Sequence, residues 1–481
     1  MLTVFKFPAL RSIVLPLLLA WNFALAQPAK TQLEQLPPEA LQSDFNRLHE
    51  AILNYHPAPL DYISLEELEA LRDEKLKHLT EDMSASDFHI IVRQYLAAVQ
   101  CGHTIARPSA SWYSSVKGKQ VLVPFDVYMA NDKVYVKTLY TDGKELKPGD
   151  QVLEINGRSI QDVLEDMRAI QPRDGSTQSF VEYNVIRYFR TYHLFLYGIQ
   201  PQHQINAKTE RGDAYEVTLD AAKSGGKKTA IDRPGSLVKK LDNDWATLFV
   251  DTSTQVAYLD IDGFGSDKYK KFYRQVFDYI GEANPDHLII DLRNNGGGYF
   301  PNGNTLLTYL DENPIDFNFY RPVRSFEKDR NVSMRFFSKM TSVLFATMPD
   351  KNDVEGRKTY HIKYKPAKTQ YTGQIHVIIN GGSFSMSGYV AAHLKGKPNV
   401  TFYGSETGGT AYGSNAVLNH VLNMPHSQIR VNIPYYHLSH PSRHPKNGSG
   451  VKPDIELDNQ EHPRSTDDTV LIEVLDLISK K

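Results

Sequence analysis

From about residue 229 to the C-terminus, short apolar runs alternate with amphipathic stretches, and this alternation limits the possible folds more than any other feature. VAYLDI and HLIIDLR have the pattern of buried strands, separated by a helical period from Asp267 to about Glu282. HVIIN, MSGYVAAHLKG and VTFYGS then repeat strand, helix, strand, and DDTVLIEVLDLISK closes the chain as an amphipathic helix. Such alternation predicts an α/β core whose sheet has parallel strands and right-handed crossovers. The boundaries read as a core over 229–465 and a terminal helix over 466–481.

The preceding regions have different periods. At 481 residues the chain has room for two to four domains of about 150 residues each. Residues 27–120 read as helical: Leu41, Phe45, Leu48 and Ile52 share a face, as do Phe88, Val92, Tyr95 and Val99. Ser64 and Glu67 form a capping-box pattern ahead of LEELEALRDEKLKHL. Gly102 is placed to stop the third helix, which puts His103 at the start of the exit loop. Residues 121–225 turn rich in β-branched and aromatic residues and break at Asn131-Asp132 and Asn156-Gly157, so they read as β. KSGGKK, residues 223–228, reads as a linker.

The first 26 residues do not read as part of the fold. Lys6 and Arg11 precede an apolar run ending Ala24-Leu25-Ala26, the pattern of a secretory signal peptide, so the expected protein is exported, periplasmic or extracellular. No stable membrane span is expected, because the run is short and interrupted by Asn22. A net charge of −2 gives no reason to expect nucleic acid as a partner. The single cysteine, Cys101, excludes an intramolecular disulfide and any metal cluster built on several thiolates.

Three segments carry candidate chemistry. Asp291-Leu-Arg-Asn-Asn-Gly-Gly-Gly298 follows a strand, and its glycine amides suit an oxyanion hole, a phosphate cradle or a plain tight turn. Gly381-Gly-Ser-Phe-Ser-Met-Ser-Gly388 joins a strand to a helix, where a serine is either an exposed nucleophile or an N-cap. A serine nucleophile needs a base, and His103 in Cys101-Gly-His-Thr104 is a candidate, though a loop histidine also serves structure alone. His437, His440 and His444 have metal-like spacing, but Pro441 and Pro445 break any helix that would align them. That stretch reads as a polar surface loop.

DLRNNGGG, the Ser-x-Ser-x-Ser elbow, Gly404-Ser-Glu-Thr-Gly-Gly409 and Gly450-Val-Lys-Pro-Asp-Ile455 come in an order that resembles the tail-specific, C-terminal-processing serine proteases. The resemblance implies a crotonase/ClpP-like α/β core. It also implies that 121–225 is a PDZ-like domain, through Leu146-Lys-Pro-Gly-Asp-Gln-Val-Leu-Glu-Ile-Asn-Gly157. By the same resemblance Ser385 is the nucleophile, and the backbone N–H groups of Met386 and Gly298 form the oxyanion hole. One branch pairs the serine with a lysine, but Thr410 stands at that position, and Lys395 and Lys397 match nothing. The branch resembling the tricorn core takes its base from an N-terminal Gly/Ser-His-Thr segment, which points to His103. Two positions depart from that branch: Gly102 replaces a serine, and Asn447 replaces a glutamate, leaving Asn447 or Glu406 as a possible third member.

The expectation is therefore an exported serine endopeptidase, or C-terminal-processing protease, with no metal and no organic cofactor. Its partners would be polypeptide substrates held by their C-terminal tails on the PDZ-like sheet. The alternative is a catalytically inactive peptide- or hydrophobic-ligand-binding protein on the same fold, as in the family's retinoid-binding relatives. The replaced glutamate, and Gly388 where the family usually has Glu, fit that alternative.

Overall fold

The computed structural model describes residues 35–141, 145–223, 234–325, 328–347, 351–352, 356–440, 444–457 and 467–480. The leader at 1–26 and all but the first residue of KSGGKK lie outside them. Among the described residues, no helix is long and apolar enough to cross a membrane.

The N-terminal helices follow their apolar spacing. Leu41, Phe45, Leu48 and Ile52 are fully buried on helix Pro38–Tyr55, and Phe88, Val92 and Tyr95 on helix Ala85–Ala98. Ser64 and Glu67 cap helix Leu65–Lys77 reciprocally, at 3.1 and 2.9 Å. The third helix, however, ends at Ala98, and Gln100, in the left-handed region at φ 52°, makes the turn that the sequence assigned to Gly102. His103 thus sits beyond that turn. The chain then forms a strand, Ile105–Arg107, that pairs with Asn432–Arg430 of the core. This strand lies in a region read as wholly helical.

Residues 125–220 form a six-stranded antiparallel sheet with edge strands Phe125–Ala130 and Ala214–Asp220. Both expected turns are present, with positive φ at Asn131, Asp132, Asn156 and Gly157. The region is less purely β than its composition suggested. Three helices, Ile160–Ala169, Gln178–Arg187 and Phe189–Tyr197, join its strands and bury Val163, Val181, Val185 and Phe189 against them.

The core sheet has seven strands. Five are parallel: Val256–Ile261, His287–Asp291, Gln374–Ile379, Val400–Gly404 and Ile455–Glu456. Val238–Asp242 and Ala246–Asp251 extend it antiparallel, so the sheet is mixed rather than parallel throughout. A second, antiparallel sheet was not anticipated. It contains Ile315–Pro322, Arg357–Tyr364, Gly413–Asn423 and Arg430–Ser439, together with Ile105–Arg107 and two short strands. Its hairpin buries Leu422, Val431 and Ile433 under the N-terminal helices. In the parallel sheet Asp291 pairs with Ile378, and Ile379 with Gly404, so the loops after these strands leave from one edge. Ligands bind at the carboxyl edge of such sheets.

Candidate active site

The loop after Gln374–Ile379 runs into helix Met386–Leu394 through Ser385, which has φ 57° and ψ −118°. A positive φ at a residue with a side chain is costly and exposes the hydroxyl at a sharp strand-to-helix turn. Of the three elbow serines, only Ser385 meets an imidazole: His103 Nε2 lies 3.0 Å from its Oγ. Ser383 is fully buried and donates to Leu292 O at 2.7 Å while accepting from Asn380 N at 3.1 Å. Ser387 is also fully buried, and its hydroxyl has no partner.

The glycine loop is drawn against this elbow. Asp291 binds the Arg293 guanidinium, which also grips Asp468 at 2.8 Å. Burial alone would lower the pKa of Arg293, but the two carboxylates hold it well above its ordinary value. Asn295 spans the loop: its carbonyl accepts from Phe384 N at 3.0 Å, and its side-chain oxygen accepts from Gly297 N at 2.9 Å. Gly297 must be glycine, since a methyl there would lie 2.7 Å from Ser385 Cβ and 2.8 Å from Met386 N. The next residue is Gly298, at φ 142°, clamped along the Phe264 backbone. No acceptor among the described residues takes the N–H of Gly298 or of Met386. Two free amides thus flank a hydroxyl already paired with an imidazole.

His103 is held on its face as well. Its ring stacks on Phe384 at 4.6 Å between centroids, and Phe384 stacks on Phe180 at 4.3 Å. Gly102 faces the same ring, and a Cβ there would lie 2.7 Å from Phe384 Cζ. The glycine that departs from the tricorn-like pattern is therefore demanded by packing rather than by helix termination.

The carboxylate beside His103 is Asp174, 3% exposed, which sequence reasoning missed. Its Oδ2 lies 3.9 Å from His103 Nδ1, and its Oδ1 accepts from Gly102 N at 2.7 Å. Nothing in the sequence marks it except the turn-forming run Asp174-Gly-Ser-Thr177, in a region read as β. Glu406 accepts from Gly450 N at 2.7 Å, and Asn447 from Ser449 N at 3.0 Å; neither is hydrogen-bonded to His103. Thr410 is buried and bonded to Gly413 O, while Lys395 and Lys397 pair with Asp454 and Asp311.

Cys101, His103 and Asp174 have ligand-type atoms within 4.8 Å of one another, the one such trio among the described residues. Burial and the Asp174 charge push the Cys101 thiol up to about 12, which works against a thiolate ligand. The C-terminal histidines do not form a surface loop. His437 and His440 are buried and bonded to Asn415 and Ala411 O, and His444 contacts Ala392 O.

The sequence profile of peptidase family S41 matches residues 255–457, and that of a PDZ domain matches 119–227. No curated protein matches. Among solved structures, mature CPAF is similar over 92% of this chain and 97% of its own, at 16% identity and a TM-score of 0.64. Mature CPAF complexed with lactacystin covers 92% and 98%, at 16% identity and a TM-score of 0.61. The photosystem II D1 C-terminal processing protease covers 90% and 97%, at 17% identity and a TM-score of 0.44.

Proposed function

We propose that this chain, which carries a peptidase family S41 domain and a PDZ domain, is an exported serine endopeptidase that processes polypeptides near their C-terminal tails. One observation carries the reading: His103 Nε2 lies 3.0 Å from Ser385 Oγ, beside the free amides of Gly298 and Met386. His103 takes the hydroxyl proton as Ser385 attacks the scissile carbonyl. The N–H groups of Gly298 and Met386 receive the negative charge on the tetrahedral oxygen. His103 then gives its proton to the leaving amine, and water hydrolyses the acyl-enzyme by the same route in reverse. No step needs a metal or an organic cofactor.

The PDZ sheet ends in strands Phe125–Ala130 and Ala214–Asp220, each paired on one side only, and an extended tail adds to such an edge. Export follows from the leader pattern, and the exported protein should begin at Gln27.

A fluorophosphonate probe tests the chemistry. The reading expects stoichiometric labelling mapped to Ser385, abolished in Ser385→Ala without loss of the fold. A folded protein that resists the probe and cleaves no peptide would instead be the inactive binding protein.

A further inference from the structure

We infer that Asp174 is the positioning carboxylate of His103, so that the PDZ domain contributes part of the catalytic apparatus. The inference rests on the Ser385–His103 reading above and deepens it.

Two atoms at the site have no partner. Asp174 Oδ2 and His103 Nδ1 are both buried without a hydrogen bond, and they face each other at 3.9 Å. A buried carboxylate oxygen without a partner is costly, and so is a buried ring nitrogen. The gap is about 1 Å longer than a hydrogen bond, within the looseness expected of a site without substrate. Closing it satisfies both atoms and fixes the proton on Nδ1. That tautomer leaves the Nε2 lone pair directed at Ser385, as a general base requires. When Nε2 takes the serine proton, the Asp174 carboxylate faces the imidazolium across Nδ1.

Asp174 lies within the stretch that the PDZ profile matches, remote in sequence from both Ser385 and His103. Its segment is fastened to the other domains on both sides. Upstream, Arg93 of the N-terminal helices donates to Ile170 O at 3.2 Å. Downstream, Gly175 N donates to Gln100 O at 3.1 Å and Ser176 N to Gly448 O at 2.9 Å. Thr177 and Ser179 donate to Gly408 O and Thr407 O, each at 3.1 Å. Phe180, on the same segment, backs the Phe384 ring on which His103 stacks. This segment therefore backs the Phe384 ring on which the base stacks, and brings a carboxylate to face its Nδ1.

Asp174→Asn separates this role from a structural one. Its amide oxygen keeps the bond from Gly102 N, while its NH2 faces Nδ1 and drives the imidazole proton to Nε2. The expected result is a folded protein with KM nearly unchanged and kcat reduced by about 100- to 10,000-fold. In ¹⁵N-histidine spectra, assigned by difference against His103→Gln, the His103 proton should move from Nδ1 to Nε2. Asp174→Ala should lose kcat similarly and also melt lower, because it drops the Gly102 bond. Asp174→Asn within about threefold of wild-type kcat, or with an unchanged His103 tautomer, would overturn the inference. The tautomer readout does not depend on hydrolysis. A wild-type protein that holds the proton on Nδ1 but resists fluorophosphonate would refute the peptidase reading and leave the role of Asp174 standing.

Discussion

Gly102→Ser restores the residue type of the tricorn-like pattern, and the structure says that it should damage the site. A Cβ at Gly102 would stand 2.7 and 2.9 Å from two carbons of the Phe384 ring and 3.3 Å from Asp174 Oδ1. Comfortable carbon–carbon contact is about 3.5–4.0 Å, so the ring edge must retreat by about 1 Å. Phe384 cannot retreat alone, because it is stacked between His103 and Phe180 at 4.6 and 4.3 Å. Overpacking of this kind costs about 1–3 kcal/mol. Tilting His103 by a similar distance should lower kcat by about 10- to 100-fold, with KM spared. Turnover of a fluorogenic peptide, probe labelling rate and thermal melting together read the effect. Phe384→Leu relieves the clash, so the double variant should be no slower than Phe384→Leu alone, a coupling of about 0.5–3 kcal/mol. Wild-type kcat and melting in Gly102→Ser would refute the argument that the ring stack sets the base.

Ser383→Ala should cost about 1–2 kcal/mol of stability, since it strips the bonds to Leu292 and Asn380, yet keep peptidase activity; Ser387→Ala should keep both, as read by melting and turnover. EDTA and phenanthroline should leave turnover unchanged, and a loss restored by zinc would move the argument to the Cys101, His103 and Asp174 trio. Deleting residues 125–222 should abolish turnover of short and long peptides alike, because it removes Asp174 and Phe180, whereas amidating a substrate's C-terminus should raise KM alone if tails dock on the PDZ sheet. Acid should destabilise the fold before it protonates the carboxylates. Burial pushes His56, His89, His193 and His440 down to about 3, so the folded state keeps them neutral. Their contribution is complete above about pH 6.5 and is lost as pH falls toward 3, by up to about 1.4 kcal/mol per histidine per pH unit. Denaturant titrations showing equal stability at pH 7 and pH 5 would contradict this.

What could be read from the sequence is what depends on local period. The helix faces of Leu41–Ile52 and Phe88–Tyr95, the Ser64 capping box and the strand Gln374–Ile379 with its elbow each declare themselves within a few residues. The second sheet did not. Its hairpin strands GSNAVLNHVLN and RVNIPYYHLS mix polar and apolar residues without a clean alternation, because the N-terminal helices cover part of one face and Ile105–Arg107 pairs with one of the strands. Gly102 was misread for a related reason. Its smallness is required by Phe384, which is distant in sequence, while the local turn is made by Gln100.

The third member of the site is the sharpest case. The resemblance places a glutamate a few residues before Gly450, where Asn447 stands, and leaves Glu406 as the alternative carboxylate. In the structure these two side chains hold the backbone of that loop, at Ser449 N and Gly450 N. Gly448, next to Asn447, accepts from Ser176 N at 2.9 Å, and a methyl on Gly175 would come within 2.6 Å of it. The loop where the resemblance placed the glutamate is thus the platform on which the PDZ segment rests, and that segment delivers Asp174 to His103. A chain that has lost a carboxylate at one position can keep its imidazole aligned if another element brings one to the same nitrogen. The substitution at Asn447 is then no argument against catalysis. Under this reasoning Asn447→Glu should not rescue Asp174→Asn, because the side chain at 447 serves the backbone at Ser449 N, while the carboxylate that faces Nδ1 comes from Asp174. Recovery of turnover in that double variant would show that the base takes its carboxylate from the loop after all.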